Sequence, residues 1–296
     1  MSKVVIQAPA SSANLGSGFD TMGLALSLSN TVELEECDRL VVTDADHSGV
    51  PLDESNLVYQ TVKQVYQQCG RSLPGLSITQ KSPIPQARGL GSSSACIAAG
   101  IVGANRLLGS PLSAQEMLEF ACSIEGHPDN VAPAMLGGYV TSVMEGGKVY
   151  TLKRRVDSQL EFVAFIPDFP LLTAKARAAL PAQVSHKDAV YNVSRAAMMA
   201  AAFCEGRSDL FWLGAQDRLH QPYRIELIPG ASQLLQQLPG MGALAVFISG
   251  AGPTMLAVIK AENTAFLAGA EALLRQDEQL RHFKAVRLSA HNESMV

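Results

Sequence analysis

The stretch that most constrains this 296-residue chain is Pro83-Ile84-Pro85-Gln86-Ala87-Arg88-Gly89-Leu90-Gly91-Ser92-Ser93-Ser94-Ala95. It lies between a strand-like run at residues 76–80 and a helical stripe formed by Ile97, Ile101, Ala104 and Leu108. Gly89 and Gly91 permit positive φ and let a ligand approach the backbone closely. Ser92, Ser93 and Ser94 fall on the first helical turn, where N–H groups are free and the dipole leaves roughly +0.5 of a charge. The segment is expected to hold an anion, and phosphate in particular. A plainer reading is a turn whose serines merely cap the helix. A bare Gly-Leu-Gly does not separate the two; the added prolines and the serine run favour the anion site. A Walker A loop is excluded, because no lysine follows either glycine. A dinucleotide loop is excluded as well: Ser94 and Thr21 stand where the third glycine would follow Gly89/Gly91 and Gly16/Gly18.

The elements around this loop mix strands and helices without strict alternation. Strand patterns occur at residues 4–8, 31–36, 40–43 and 76–80, and a hairpin at 139–152. Helical patterns cover 53–70, with Ser55 or Asn56 as N-cap, the stretch after the loop up to Gly109, and 113–124, where Ser113 and Glu116 have capping-box spacing. After a charged connector at 153–157 the same mixture resumes. Strands are expected at 160–166, 243–248, 255–259 and 285–288, and helices at 187–205 and 264–276. Two α+β domains are expected rather than one doubly wound sheet. The division falls at residues 1–156 and 157–296.

Composition narrows the partners. Lys plus Arg number 23 against 27 Asp plus Glu, a net charge of -4, so the basic face needed for nucleic-acid binding is not expected. The five cysteines form no C-x-x-C and have no histidines at metal-ligand spacing, which points to a reducing compartment rather than to disulfides or zinc. No apolar run approaches the roughly 18 residues of a membrane span, and the first residues lack a targeting pattern. A cytoplasmic protein acting on small molecules, with neither nucleic acid nor membrane as partner, is the expectation.

Pro85 to Ala95 resembles the second motif of the GHMP kinase superfamily. Its other two motifs stand on either side, in the expected order, as Ala10-Ser11-Ser12-Ala13-Asn14-Leu15-Gly16-Ser17-Gly18-Phe19-Asp20 before it and Ser249-Gly250-Ala251-Gly252-Pro253-Thr254 after it. The first is similar to the version found in the homoserine kinase branch. So are Glu125-Gly126-His127-Pro128-Asp129-Asn130-Val131-Ala132-Pro133, Thr173-Ala174-Lys175-Ala176-Arg177 and Pro222-Tyr223-Arg224. The resemblance spans nearly the whole chain. It implies an N-terminal domain like domain 2 of ribosomal protein S5, a ferredoxin-like C-terminal domain, and an active site in the cleft between them. It also implies ATP-dependent phosphorylation of the hydroxyl of L-homoserine, a step of threonine biosynthesis, with ATP and Mg²⁺.

Residue roles come with the resemblance. The loop Pro85, Gln86, Ala87, Arg88, Gly89, Leu90, Gly91, Ser92, Ser93, Ser94 and Ala95 would hold the ATP phosphates. Ser93 and Glu125 would bind Mg²⁺. Asn14, Asp20, Asn130, Thr173, Arg177 and Arg224 would bind the acceptor, with Asp20 on the ammonium, the two arginines on the carboxylate and Asn130 orienting the hydroxyl. Glu125 also stands out unaided, as a carboxylate at a helix C-terminus where the dipole disfavours it. Asp129 is the acid inside the matched segment, but an Asp beside such a turn is commonly a cap. The expectation is that no dedicated base acts and that the hydroxyl proton passes to the transferring phosphoryl group. Ser249–Thr254 is expected to brace the phosphate loop from the second domain. His127, His186 and His220 are expected to be hydrogen-bonding loop residues, and Phe211 and Trp212 core or interface. The segment from Glu125 to Asn130 is shorter than in some homoserine kinases. Two readings stay open beside the first: another GHMP small-molecule kinase acting on mevalonate, a sugar or shikimate, and a relative that binds ligand without turnover. The first motif carries no Lys or Arg, which disfavours the former; intact Ser93 and Glu125 disfavour the latter. A homodimer is compatible with the resemblance, but the sequence marks no interface.

Overall fold

The computed structural model describes residues 3–296. Its first sheet contains β1 (Val4–Ala13), β2 (Met22–Glu36), β3 (Val41–Asp44), β4 (Leu76–Lys81), β5 (Tyr139–Glu145) and β6 (Lys148–Arg154). The second contains β7 (Leu160–Pro167), β8 (Ala245–Ile248), β9 (Met255–Lys260) and β10 (Phe283–Leu288). The helices are α1 (Leu57–Gln68), α2 (Ser92–Leu107), α3 (Ala114–Glu125), α4 (Pro128–Leu136), α5 (Thr173–Ala178), α6 (His186–Glu205), α7 (Phe211–Gly214), α8 (Gln221–Arg224), α9 (Ala231–Gln237) and α10 (Phe266–Gln276).

β2 organises the first sheet. One edge pairs antiparallel with β1, from Val4–Leu34 to Ala13–Gly23. The other edge is shared: β4 takes Thr31 to Glu36 and β5 takes Met22 to Leu24. The end of the chain fills the gap between them. Ala290 bridges Leu26, and Ser27 N and His291 N donate to the carbonyls of Ser289 and Ala25 at 2.9 and 3.0 Å. Residues after the second sheet therefore return to complete the first, a closure with no local sequence pattern.

The second sheet runs β10-β7-β9-β8 with every pair antiparallel. In chain order this is 4-1-3-2, the ferredoxin-like arrangement that the resemblance implied. Alternate residues of β7 explain how it is held. Val163 and Phe165 pack with α9 and α10, while Phe162 and Ala164 face the core of the first sheet. The two domains thus share one apolar core through the pleat of a single strand. Fully burying Phe162, Val163 and Phe165 stabilises the junction by roughly 1.5–3 kcal/mol each.

α2 is the axis of the first domain, buried continuously from Ser94 to Asn105. Small residues allow this depth. A Cβ on Gly100 would lie 2.8 Å from the Thr61 side chain of α1, and one on Gly103 would lie 2.3 Å from Leu34 of β2. α1 begins at Asn56, whose side chain accepts from Val58 N and Tyr59 N, and α3 carries the expected Ser113–Glu116 capping box.

Two features depart from the sequence reading. β1 and β2 extend well beyond residues 4–8 and 31–36, because their inner halves are buried on both faces and show no alternation. α4 forms despite Pro128 at its start and Pro133 inside it. A proline nitrogen cannot donate to the Asp129 carbonyl, and that carbonyl instead faces Gly23 of β2, where a Cβ would lie 1.9 Å away. Of the two residues expected in core or interface, Phe211 is buried in the core and Trp212 is 57 % exposed. The five cysteines are free thiols, and among the described residues no helix is long and apolar enough to cross a membrane.

Candidate active site

The phosphate loop enters α2 through left-handed backbone. Ala87, Gly89 and Gly91 have φ of 51°, 75° and 68°. Gly91 is the N-cap of α2, and no side chain caps the helix there. The capping alternative for the serines is therefore not what forms, and the first-turn N–H groups of α2 open on the cleft. The two glycines are needed for contact as well as for φ. A Cβ on Gly89 would lie 2.4 Å from the Ser249 carbonyl, and one on Gly91 would lie 2.0 Å from Ser11 Oγ.

The loop is gripped from both domains. Ser249 Oγ donates to the Gly89 carbonyl at 2.6 Å, Thr254 N to Arg88 O at 3.3 Å, and Leu171 N to Ala87 O at 3.0 Å. Ser11 N donates to Leu90 O at 3.1 Å from the first motif. The brace expected of residues 249–254 is in place. The guanidinium of Arg88, on the cleft wall, donates to the carbonyls of Gln86, Pro167 and Asp168, so it also staples the loop to the end of β7. Leu90 and Ala95, also expected at the phosphates, are buried in the core, and Pro85 lies off the main cleft.

At the far side of the same helix turn stands Glu125, the last residue of α3. Ser94 Oγ donates to its Oε1 at 2.9 Å, and Ser93 Oγ lies 3.5 Å from Oε2. Ser94 is buried and Ser93 exposed, so Ser94 orients the carboxylate while the Ser93 hydroxyl stays open to the cleft.

The acceptor end is made of side chains. Asp20, in left-handed backbone at φ 53°, receives both guanidinium branches of Arg177 at 2.8 and 2.9 Å. The Asp20 hydrogen bond is the main cause raising the Arg177 pKa above its ordinary value. Asn14 spends both ends of its amide internally, accepting from Asp20 N and donating to Gly250 O. Asn130 Oδ1 accepts from Ser11 Oγ at 2.9 Å, which leaves its Nδ2 for the cleft. Thr173 starts α5, exposed, on the cleft wall. Arg224 is 1 % exposed and has no ion-pair partner among the described residues.

The sequence reading missed one pair outright. His127 Nδ1 lies 2.6 Å from Asp129 Oδ1, and Asp129 is buried. Burial disfavours the charged imidazole, but the hydrogen bond and charge of Asp129, helped by Glu125 and Asp20, outweigh it and raise the His127 pKa overall. A histidine two residues from an aspartate was the available signal.

The glycines of the loop, Ser93, Glu125, Asp20, Asp129, Asn130 and the two arginines Arg177 and Arg224 line one cleft of about 420 Å³ between the domains. A smaller apolar recess of about 230 Å³ shares Leu57, Ala87, Ser92 and Ser93 with it; Gln86 and Cys96 also line it. Burial raises the Cys96 thiol to about 11, so this wall is uncharged at neutral pH.

Comparison with known proteins yields the same arrangement. The GHMP kinases N terminal domain matches residues 56–138, and the GHMP kinases C terminal domain matches residues 199–273. A homoserine kinase from Caldicellulosiruptor saccharolyticus is 44 % identical over 291 residues, covering 98 % of this chain and 94 % of that protein. The chain belongs to the homoserine kinase family of GHMP kinases. Solved structures agree. A homoserine kinase from Cytophaga hutchinsonii superposes with a TM-score of 0.85 at 27 % identity, covering 99 % of this kinase and 96 % of that chain. A putative homoserine kinase from Listeria monocytogenes gives 0.81 at 32 % identity, with 99 % and 98 % covered.

Proposed function

We propose that this kinase transfers the γ-phosphoryl group of ATP to the side-chain hydroxyl of L-homoserine, and that the two ends of the cleft divide the work. The observation that carries the proposal is the meeting, in one cleft, of an uncapped helix N-terminus and an Asp–Arg pair whose charges are complementary to a zwitterion. The N–H groups of the α2 first turn and the glycine loop would take the phosphates, and the apolar recess beside Leu57 would take the base.

Ser93 and Glu125 would hold Mg²⁺. A hydroxyl and a carboxylate are hard oxygen donors, which suits that ion, and a carboxylate at a helix C-terminus is otherwise poorly placed. When bound, the ion would neutralise charge on the transferring phosphoryl group.

The Asp20–Arg177 pair is about one-third exposed on each side chain, so it is worth only ~0–1 kcal/mol. An amino acid can insert into it: its ammonium takes Asp20, and its carboxylate takes Arg177 and the buried, unpaired Arg224. Asp20 and Arg177 then each exchange one partner for another of the same sign, and Arg224 gains one. Asn130 would orient the hydroxyl. In the transfer the hydroxyl oxygen bonds to phosphorus as the bridge to the β-phosphate breaks, and the hydroxyl proton ends on the transferred group. Asp129 is already committed to His127, which supports the reading without a dedicated base.

The deciding assay measures ADP release from Mg-ATP with homoserine, mevalonate, galactose and shikimate as acceptors. Homoserine-dependent ADP with formation of a phosphate monoester is the expected result. Turnover only with another acceptor, or with none, overturns the proposal.

A further inference from the structure

Arg224 reaches the cleft from a buried position without a carboxylate to hold it, so its orientation must come from neutral groups. Its Nη1 donates to Gly250 O at 3.1 Å and meets His220 Nδ1 at 3.3 Å, while Nε lies 3.5 Å from Ala176 O. His220 is fully buried, and its Nε2 lies 2.6 Å from the Gly16 carbonyl. A carbonyl only accepts and a guanidinium only donates. These partners assign the hydrogen to Nε2 and leave a bare lone pair on Nδ1. The ring stacks on Phe19 at 5.0 Å and 19°, and the guanidinium of Arg224 lies over the same phenyl ring, 5.1 Å from its centroid. Gly16 and Phe19 both belong to the first motif, so the imidazole links that turn to Arg224.

We infer that neutral His220, in its Nε2–H tautomer, is the positioning residue that aims Arg224 at the acceptor's carboxylate. The inference rests on the role proposed above for Arg224. The charged groups around the ring are Asp217, 3.7 Å from Nε2, Arg224 itself, and Asp20 across Phe19. Asp217 is fixed by the backbone N–H groups of Leu219, His220 and Gln221; burial, the largest influence on the ring, and the neighbouring Arg224 charge disfavour the imidazolium, and together they outweigh the pull of Asp217. An imidazolium would turn an N–H towards the Arg224 N–H and release the guanidinium.

Two variants and one spectrum test this. His220→Phe keeps a ring for Phe19 but removes both nitrogens; His220→Gln keeps one donor and one acceptor. His220→Phe is expected to raise KM for homoserine about tenfold, with kcat and KM for ATP within about twofold, a selective loss of one aimed contact. His220→Gln is expected to bring that KM back to within about threefold of wild type. Combined with Arg224→Lys, His220→Phe should add little, since the two act through one contact. Equal damage from Phe and Gln, or damage falling on kcat or on ATP, overturns the inference. If His220→Phe does not fold, the imidazole ¹⁵N spectrum of the wild-type protein decides: a neutral ring protonated on Nε2 is expected, and a ring protonated on Nδ1 overturns it. A wild-type protein that ignores homoserine would defeat the functional reading, while the spectrum would still report on the His220–Arg224 contact.

Discussion

The two ends of the cleft are built from different materials. The phosphate end is backbone: free N–H groups at the start of α2, a loop in left-handed conformation, and carbonyls tied by Ser249, Thr254, Leu171 and Ser11. The acceptor end is side chain: Asp20 on Arg177, His127 on Asp129, Arg224 on His220. Backbone N–H groups cannot neutralise themselves and wait for an anion, whereas side chains of opposite sign pair when nothing else is present. The first kind of site is preorganised; the second is held closed by its own charges and opened by a ligand that replaces them.

The contrast ranks the expected consequences of mutation. The largest belongs to Glu125, the one carboxylate at the phosphate end. Glu125→Ala is expected to lower kcat about 10³-fold, the scale of losing a central electrostatic group, while Tm holds or rises because a negative charge leaves a helix C-terminus. Steady-state kinetics beside a thermal melt checks this. A kcat within tenfold of wild type would mean that Glu125 is only a partner for Ser94.

Next comes the backbone itself. Gly91→Ala places a Cβ 2.0 Å from Ser11 Oγ at a φ of 68°. It should cost about 1–3 kcal/mol of stability and lower kcat/KM for ATP about 10²-fold, as N–H groups aimed at phosphate move off line. KM for homoserine should change far less. Equal loss for both substrates would mean that the two ends are not separately built.

At the acceptor end the effects reverse. Arg177→Lys replaces a planar two-branched donor by a point charge. It is expected to raise KM for homoserine about tenfold to a hundredfold, with ATP kinetics unchanged. Asp129→Asn should lower kcat only about tenfold, because the structure commits this carboxylate to His127. A loss beyond about three orders of magnitude would make Asp129 the base and refute the base-free transfer.

The same contrast explains what could be read from the chain. Gly89, Gly91 and the serine run announced the phosphate end, because a backbone site needs particular residues at consecutive positions. The run did not show how its members divide the work: Arg88 also staples the loop to β7, and the side chains of Leu90 and Ala95 are buried in the core. The acceptor residues lie far apart in sequence, and singly each resembles an ordinary surface or capping residue. Only the family resemblance gathered Asp20, Arg177 and Arg224, and it did not show that Asp20 and Arg177 hold each other. Among the elements, α4 was hidden by its prolines, and the return of residues 289–291 to β2 was invisible because pairing across the whole chain leaves no local period.

The smallest expected effect separates the partly buried His127 from the fully buried His220 by their response to pH. Burial works against the charged form of His127, but Asp129 raises its pKa overall. The stability from this pair is therefore fully present below the unfolded histidine value of about 6.5 and is lost as pH rises through the folded one. His220 goes the other way. Burial lowers its pKa, opposed by Asp217 and reinforced by Arg224, so its contribution is present above about 6.5 and lost as pH falls. Denaturant melts of His127→Asn and His220→Gln, each compared with wild type from about pH 5 to 8, should show differences sloping in opposite directions. Parallel slopes would mean that His127 lacks its charged partner in solution, and the acceptor end would then owe its closure to Asp20 and Arg177 alone.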